Sequence, residues 1–308
     1  MEYDYDVGIV GAGVAGMTAA MYAARGGLSV ICLEKEVQGG QIITSPEVEN
    51  YPGIDRISGA ELANSLYQQA SKFGAKIEYD EVKSAELAGD IKVLHGASAD
   101  YRVRGVILAG GVERRKLGCP GEDALVGRGV SYCATCDGAF YKGHTVAVVG
   151  GGNTAVEDAL ALSALCEKVY VIHRRQGFRA AETELAKLRN NTKVEFILDS
   201  VVTEVRGKDK VESLLVKSTT GGPDRELVVD GLFVAIGLIP QNKAFADQLS
   251  LTKEGYVDAD ESCTTSLPRV WVAGDTRKKA LRQLATAAAD GAIAGSAAVA
   301  ALAGDATL

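Results

Sequence analysis

Two stretches of this sequence share one plan. Asp6-Val-Gly-Ile-Val-Gly11-Ala-Gly13-Val-Ala-Gly16 carries an apolar, β-branched run into clustered glycines, and a helix-forming stretch follows from Met17 to Arg25. A second apolar run, Leu28 to Leu33, ends at Glu34. Thr145-Val-Ala-Val-Val-Gly150-Gly-Gly152-Asn-Thr-Ala155 repeats the pattern, with a helix expected over Val156 to Leu165 and a strand over Lys168 to Ile172. At one constant offset, Gly11, Gly13 and Gly16 fall on Gly150, Gly152 and Ala155. Each unit reads strand, turn, helix, strand. The first glycine permits a sharp turn, the second lets a pyrophosphate approach the backbone, and the third small residue lets helix and strand pack closely. The helix N-terminus then receives the phosphates. A single copy is a weak signal, because glycine turns occur in unrelated α/β proteins; two copies in matching context point to two dinucleotide sites.

The units differ where their second strands end. Glu34 closes the first, and an acid there accepts hydrogen bonds from a ribose diol. The same offset puts His173 in the second, followed by Arg174, Arg175 and Arg179. Guanidinium forks pair well with phosphate oxygens, so this end suits a 2′-phosphate. The alternative is a solvated basic patch. The first site is therefore expected to hold an adenosine diphosphate without a 2′-phosphate and the second NADPH. FAD and NADPH form the natural pair for such a relay.

Between the units lies Ser131-Tyr-Cys133-Ala-Thr-Cys136-Asp137-Gly138. Two cysteines at this spacing can close a small, reducible disulfide ring. A cysteine that opens a helix has a lowered thiol pKa, and Asp137 could hold or deliver a proton. A zinc site would need two more ligands; Cys119 and His144 are nearby, but the usual second pair is missing. Two reduced, unlinked thiols are the other alternative. No metal is expected.

The 308 residues are enough for about two domains. With 33 basic against 40 acidic side chains, the net charge of −7 argues against a nucleic-acid partner. Met1 to Asp6 holds three acids and no base, unlike a signal peptide. Leu281 to Ala303 is apolar but contains Arg282 and Asp290, so a buried helix is expected rather than a membrane span. A cytoplasmic location follows as the expectation. Ser58-Gly-Ala-Glu61 reads as a capping box for a helix ending before Gly74. Cys32, Cys166 and Cys263 read as core residues, Trp271 as a strand residue and Arg206 to Lys210 as a hairpin turn.

These residues together resemble the low-molecular-weight, bacterial-type thioredoxin reductases, from about Tyr5 to Ala303. The most specific piece is Cys133-Ala-Thr-Cys136-Asp137-Gly138, then the second fingerprint, then His173-Arg-Arg175 with Arg179. Gly39-Gly40-Gln41, Val48-Glu-Asn50-Tyr-Pro-Gly53, Ala235-Ile-Gly237 and Gly274-Asp275 with Arg282-Gln283 also match. The resemblance implies an α/β fold of two Rossmann-like three-layer nucleotide-binding domains, the NADPH domain inserted into the FAD domain. The expected boundaries are 1–112 and 242–308 for the FAD domain and 113–241 for the NADPH domain.

Roles follow by the same resemblance. Gly11, Gly13, Gly16, Glu34 and Lys35 would hold the adenosine half of FAD. Gly40, Gln41 and Asn50 would lie along the flavin, Gly274 and Asp275 at the ribityl or pyrophosphate region, and Arg282, Gln283 and Leu284 beside the isoalloxazine. Gly152, Asn153, Thr154, Ala155, His173, Arg174, Arg175 and Arg179 would hold NADPH. Cys136 would face the flavin, Cys133 would attack the disulfide of a thioredoxin or thioredoxin-like partner, and Asp137 would serve as acid–base group. Arg128 and Phe140 are expected partner contacts, and a homodimer is expected. The chain departs from the family pattern at Val14, at Gly110 and at Ala139, where one of two adjacent phenylalanines is missing. Related flavin dithiol oxidases, ferredoxin-dependent disulfide reductases and, least of all, a non-enzymatic redox sensor are the competing readings.

Overall fold

The structure is a computed structural model and describes residues 2–302. In chain order its strands and helices are β1 (Tyr5–Val10), α1 (Val14–Arg25), β2 (Val30–Glu34), α2 (Gly59–Lys72), β3 (Lys76–Tyr79), β4 (Val82–Glu86), β5 (Lys92–Gly96), β6 (Asp100–Leu108) and β7 (Val112–Arg114). Then come β8 (Val130–Ser131), α3 (Ala134–Asp137), β9 (Thr145–Val149), α4 (Asn153–Leu165), β10 (Lys168–Ile172), α5 (Glu182–Arg189) and β11 (Val194–Ile197). The last are β12 (Ser200–Arg206), β13 (Ser213–Ser218), β14 (Arg225–Val228), β15 (Gly231–Val234), β16 (Leu238–Pro240), β17 (Val270–Val272) and α6 (Leu284–Leu302). The chain divides into two compact units: one holds the chain up to Glu113 and again from Ile239, the other is Arg114–Leu238.

The first unit is built on a sheet of order β3-β2-β1-β6-β5-β4, with β17 also on β6. β2, β1, β6 and β17 run parallel, and β4–β5–β6 are antiparallel. β6 reconciles the two: its early residues pair with β5, and Val106 to Leu108 pair with β17. Alternation along the strands separates two layers. Val7, Ile9, Ile107 and Trp271 pack with α1, α2 and α6, whereas Ile31, Leu33, Val106 and Val270 pack with Phe245, Leu249 and Val257 on the other face. The capping box at Ser58 forms as expected, Glu61 N–H donating to Ser58 Oγ at 3.2 Å and Ser58 N–H to Glu61 Oε2 at 3.1 Å.

Helix α6 is long and apolar enough to cross a membrane by length and composition alone. It lies instead against α1, at glycine-mediated distance. A Cβ on Gly291 would come within 2.3 Å of Ala15 O, and one on Gly295 within 2.7 Å of Ala19 O. Only glycine lets the two backbones approach this closely.

The second unit has a parallel sheet of order β11-β10-β9-β15-β8 and an antiparallel sheet β12-β13-β14. Val146, Val148 and Phe233 face α3, α4 and α5; their neighbours Ala147, Val149, Leu232 and Val234 face β12 to β14. Phe233 is fully buried and meets Tyr141 edge-on, centroids 5.3 Å apart. Its truncation to alanine would cost roughly 3–5 kcal/mol. Both units are thus three-layered; of the expected turn, Gly207 to Lys210 lie between β12 and β13, while Arg206 ends β12 and pairs with Ser213.

Candidate active site

The redox pair forms in the second unit. Cys133 and Cys136 are joined as a disulfide, with Cα atoms 5.3 Å apart. β8 delivers the chain to Cys133, which caps α3, and its Sγ accepts the Cys136 N–H at 3.2 Å. Cys136 is exposed and Cys133 half-buried. Behind them Ala134 packs with Ala155, Ala159 and Leu162, so the disulfide rides on the side of α4.

Asp137 ends α3, and its Oδ2 accepts Ser131 Oγ–H at 2.5 Å. Ser131 Oγ also accepts the Cys133 N–H at 3.1 Å. Burial pushes the Asp137 carboxyl above its ordinary value, against the Ser131 hydrogen bond and the Arg114 charge, which pull it down. A carboxyl raised in this way can carry a proton closer to neutral pH. Ser131 was not singled out from the sequence; its only signal was its place at the end of an apolar strand, two residues before Cys133.

The two glycine turns shape two helix N-termini. α1 starts at Gly13 and α4 at Gly152, neither with a side-chain cap nor with an acid in its first turn. A Cβ on Gly152 would meet nothing within 4 Å, and one on Gly13 only Gly39 O at 3.9 Å. Uncapped amides facing open space suit phosphate. Gly11 has φ +99°, which glycine adopts without strain. A Cβ on Gly16 would sit 1.8 Å from Gly11 O, whereas the second turn admits the fully buried Ala155.

Around the first turn, Glu34 is buried at the end of β2; its Oε2 accepts Ala12 N–H at 2.8 Å and its Oε1 Glu36 N–H at 3.1 Å. Gly39 N–H bonds Ala12 O, which brings the turn holding Gly40 and Gln41 beside it. Gln41 Nε2 donates to Val112 O, and Lys35 pairs with Glu113 at 2.9 Å. From the far end of the chain, Gly274 and Asp275 form a tight turn near Ala15. Arg282 Nε donates to Asp275 O at 3.3 Å while its guanidinium covers the Tyr256 ring at 4.1 Å. Asn50 Nδ2 reaches Gln283 Oε1 at 3.2 Å, and Leu284 begins α6. The residues assigned to FAD are thereby assembled in one unit.

Around the second turn, the loop after β10 is laced to the glycines. Arg179 N–H donates to Gly151 O at 2.7 Å, and Ala181 N–H to Asn153 Oδ1 at 2.9 Å. Asn153, which opens α4, thus also holds the residue that precedes α5; Thr154 beside it is exposed. His173 Nε2 lies 3.2 Å from Gly177 O and its ring rests on Phe178. Burial lowers the His173 pKa, helped by the Arg174, Arg175 and Arg179 charges and opposed by the Gly177 carbonyl. The three arginines are exposed and none makes an ion pair with a described residue. As a donor set, unpaired guanidinium groups beside an uncapped helix fit a phosphorylated dinucleotide. Arg128, bonded to Ala124 O, and Phe140, 46% exposed, lie on this unit too.

Residues 5–291 match the pyridine nucleotide-disulphide oxidoreductase family. The thioredoxin reductase of Bacillus subtilis (strain 168) is 42% identical, over 95% of this chain and 93% of that protein. That of Listeria innocua serovar 6a is 44% identical, over 96% and 92%. The crystal structure of thioredoxin reductase from Streptococcus pyogenes MGAS5005 superposes with a TM-score of 0.93 at 42% identity, covering 97% of this chain and 98% of that one. The chain belongs to the pyridine nucleotide-disulphide oxidoreductase family, and within it to the thioredoxin reductases. It is accordingly a disulfide-reducing oxidoreductase that uses a flavin and a pyridine nucleotide.

Proposed function

We propose that this protein is an NADPH-dependent thioredoxin-disulfide reductase. FAD would bind the split unit, 1–112 with 242–308, and NADPH the inserted unit, 113–241. The observation that carries the reading is the Cys133–Cys136 disulfide with the hydrogen-bonded, half-buried carboxyl of Asp137 one residue on.

When bound, the two cofactors would supply hydride from nicotinamide and, through the flavin, the two electrons that open a disulfide. In the first unit, Glu34 would hold the ribose diol, the α1 amides at Gly13 the pyrophosphate, and Gly274 and Asp275 the ribityl side. Gly40, Gln41, Asn50, Arg282, Gln283 and Leu284 would line the isoalloxazine. In the second, Gly152, Asn153, Thr154 and Ala155 would receive the pyrophosphate of NADPH, and Arg174, Arg175 and Arg179 its 2′-phosphate. What supports NADPH over NADH is that these three cations lack ion pairs among the described residues.

Once reduced, the Cys133 thiolate attacks the partner disulfide. One sulfur–sulfur bond forms to Cys133, the partner's own bond breaks, and the released partner thiolate takes a proton from Asp137. The Cys136 thiolate then attacks Cys133 Sγ, which restores the Cys133–Cys136 bond and frees the second partner thiolate to be protonated. Arg128 and Phe140 would contact the partner. The homodimer and the cytoplasmic location rest on the family likeness alone.

The test is NADPH oxidation by the FAD-loaded protein in the presence of an oxidised thioredoxin. Turnover that requires both cysteines supports the reading. Turnover with ferredoxin or oxygen in place of NADPH and thioredoxin would replace it with one of the related oxidoreductase readings.

A further inference from the structure

Ser131 sits where three polar groups meet. Its side chain is nearly enclosed, the residue being 5% exposed. The hydroxyl lies 2.5 Å from Asp137 Oδ2, 3.1 Å from the Cys133 nitrogen and 3.4 Å from the Cys133 carbonyl oxygen. A serine hydroxyl has one proton to give and two lone pairs to receive.

That inventory fits both protonation states of Asp137. With the carboxylate ionised, the hydroxyl proton goes to Asp137 and one lone pair takes the Cys133 N–H. With Asp137 protonated, the acid donates to the second lone pair, and the hydroxyl proton turns to the Cys133 carbonyl. Asp137 and the Cys133 N–H keep their hydrogen bonds to Ser131 in either state, and only the longer bond to the Cys133 carbonyl is made or released. Without the hydroxyl, the half-buried carboxyl loses the Ser131 donor and the Cys133 N–H its Ser131 acceptor, and an enclosed polar group left without its bond is costly.

We propose that Ser131 is the positioning residue that lets Asp137 hold or release a proton beside the disulfide without breaking its hydrogen bonds. It rests on the reading of Asp137 as the acid–base group. Other groups also bear on that carboxyl. Arg114 of β7 acts on Asp137 by its charge, and Asp137 in turn acts on Tyr141, which follows α3. Helix α4, packed against α3, also carries Asp158, a second carboxyl pushed up to about 7 by burial and by Glu157; Asp158 does not act on Asp137 and so serves as the control.

The experiment compares Ser131→Ala, Ser131→Thr, Asp137→Asn and Asp158→Asn in the FAD-loaded protein. Two pH profiles are read: the rate of thioredoxin-disulfide reduction, and iodoacetamide alkylation of Cys133 after reduction with dithiothreitol. Ser131→Ala is expected to move the ionisation owed to Asp137 upward by about one to two pH units, because the charge-assisted hydrogen bond to the carboxylate is stronger than the one made by the protonated acid. Ser131→Thr, which keeps the hydroxyl, is expected to restore the wild-type profile, and Asp158→Asn to leave that ionisation in place. If Ser131→Ala does not fold, Ser131→Gly removes the same hydroxyl and carries the same expectation. An unshifted ionisation in the hydroxyl-free variant overturns the role of Ser131. An ionisation that survives Asp137→Asn overturns the acid–base reading beneath it.

Discussion

Arg277 grips Asp290 with two parallel contacts, Nε to Oδ2 at 3.2 Å and Nη2 to Oδ1 at 3.0 Å, and both side chains are almost wholly buried. Lys279 adds a third cationic contact at 2.7 Å, and Gly274 N–H donates to the same Oδ2 at 2.9 Å. One carboxylate on α6 therefore fixes the turn that presents Asp275. Burial works to raise the Asp290 carboxyl, and Arg277 and Lys279 more than reverse it, leaving it below its ordinary value.

Replacing Asp290 with asparagine removes the buried carboxylate that Arg277 and Lys279 share, leaving Arg277 only Glu261 and backbone carbonyls, and breaking such a buried pair costs about 3–5 kcal/mol. The sign with pH follows from the depressed value. The carboxylate's contribution is complete above its unfolded pKa of about 4 and is lost as pH falls through the folded value. Urea unfolding followed by flavin fluorescence should show Asp290→Asn well below wild type at pH 7, and the gap narrowing in acid.

Gly16→Ala places a Cβ where Gly11 O already stands. The purified variant is expected to lose its flavin, read as the ratio of flavin to protein absorbance. The mirror change, Ala155→Gly, opens no clash and costs only about 0.5–1 kcal/mol of helix stability.

Much of this was legible because the signals are local. The glycine turns, the Cys133–Cys136 spacing and the Arg174, Arg175 and Arg179 run are each written within a few residues, and backbone geometry leaves them few alternatives. Ser131, Arg277 and Lys279 were not read. Their partners are set by how β8 meets α3 and how α6 folds back on the turn at Gly274, which no sequence period encodes. Asp290 was visible as an acid in an alanine-rich helix, a reason to doubt a membrane span, but its partners were not. Gly110 belongs with these: a Cβ there would come within 3.2 Å of Gln241 O, a neighbour supplied from far along the chain.

Arg174→Gln and Arg175→Gln should each raise KM for NADPH about 10–100-fold and leave KM for NADH unchanged, since only the 2′-phosphate contact is removed. Burial and the neighbouring arginine charges hold the His173 pKa below its ordinary value, which favours the neutral ring. Steady-state KM for NADPH should accordingly show no histidine titration between about pH 7 and 8.

The two cysteines should separate by trapping. Cys136→Ser leaves the Cys133 thiolate bound to its partner, so a stable mixed disulfide with thioredoxin should accumulate and be seen by intact mass. Cys133→Ser should form none. The opposite pattern would exchange their roles.

The most direct measurement is an anaerobic titration of the FAD-loaded protein with NADPH and, separately, NADH, followed by flavin absorbance. Bleaching by near-stoichiometric NADPH, with NADH effective only in large excess, and recovery of the colour on adding oxidised thioredoxin is the predicted result. A flavin that dithionite reduces but neither nucleotide bleaches would contradict the account.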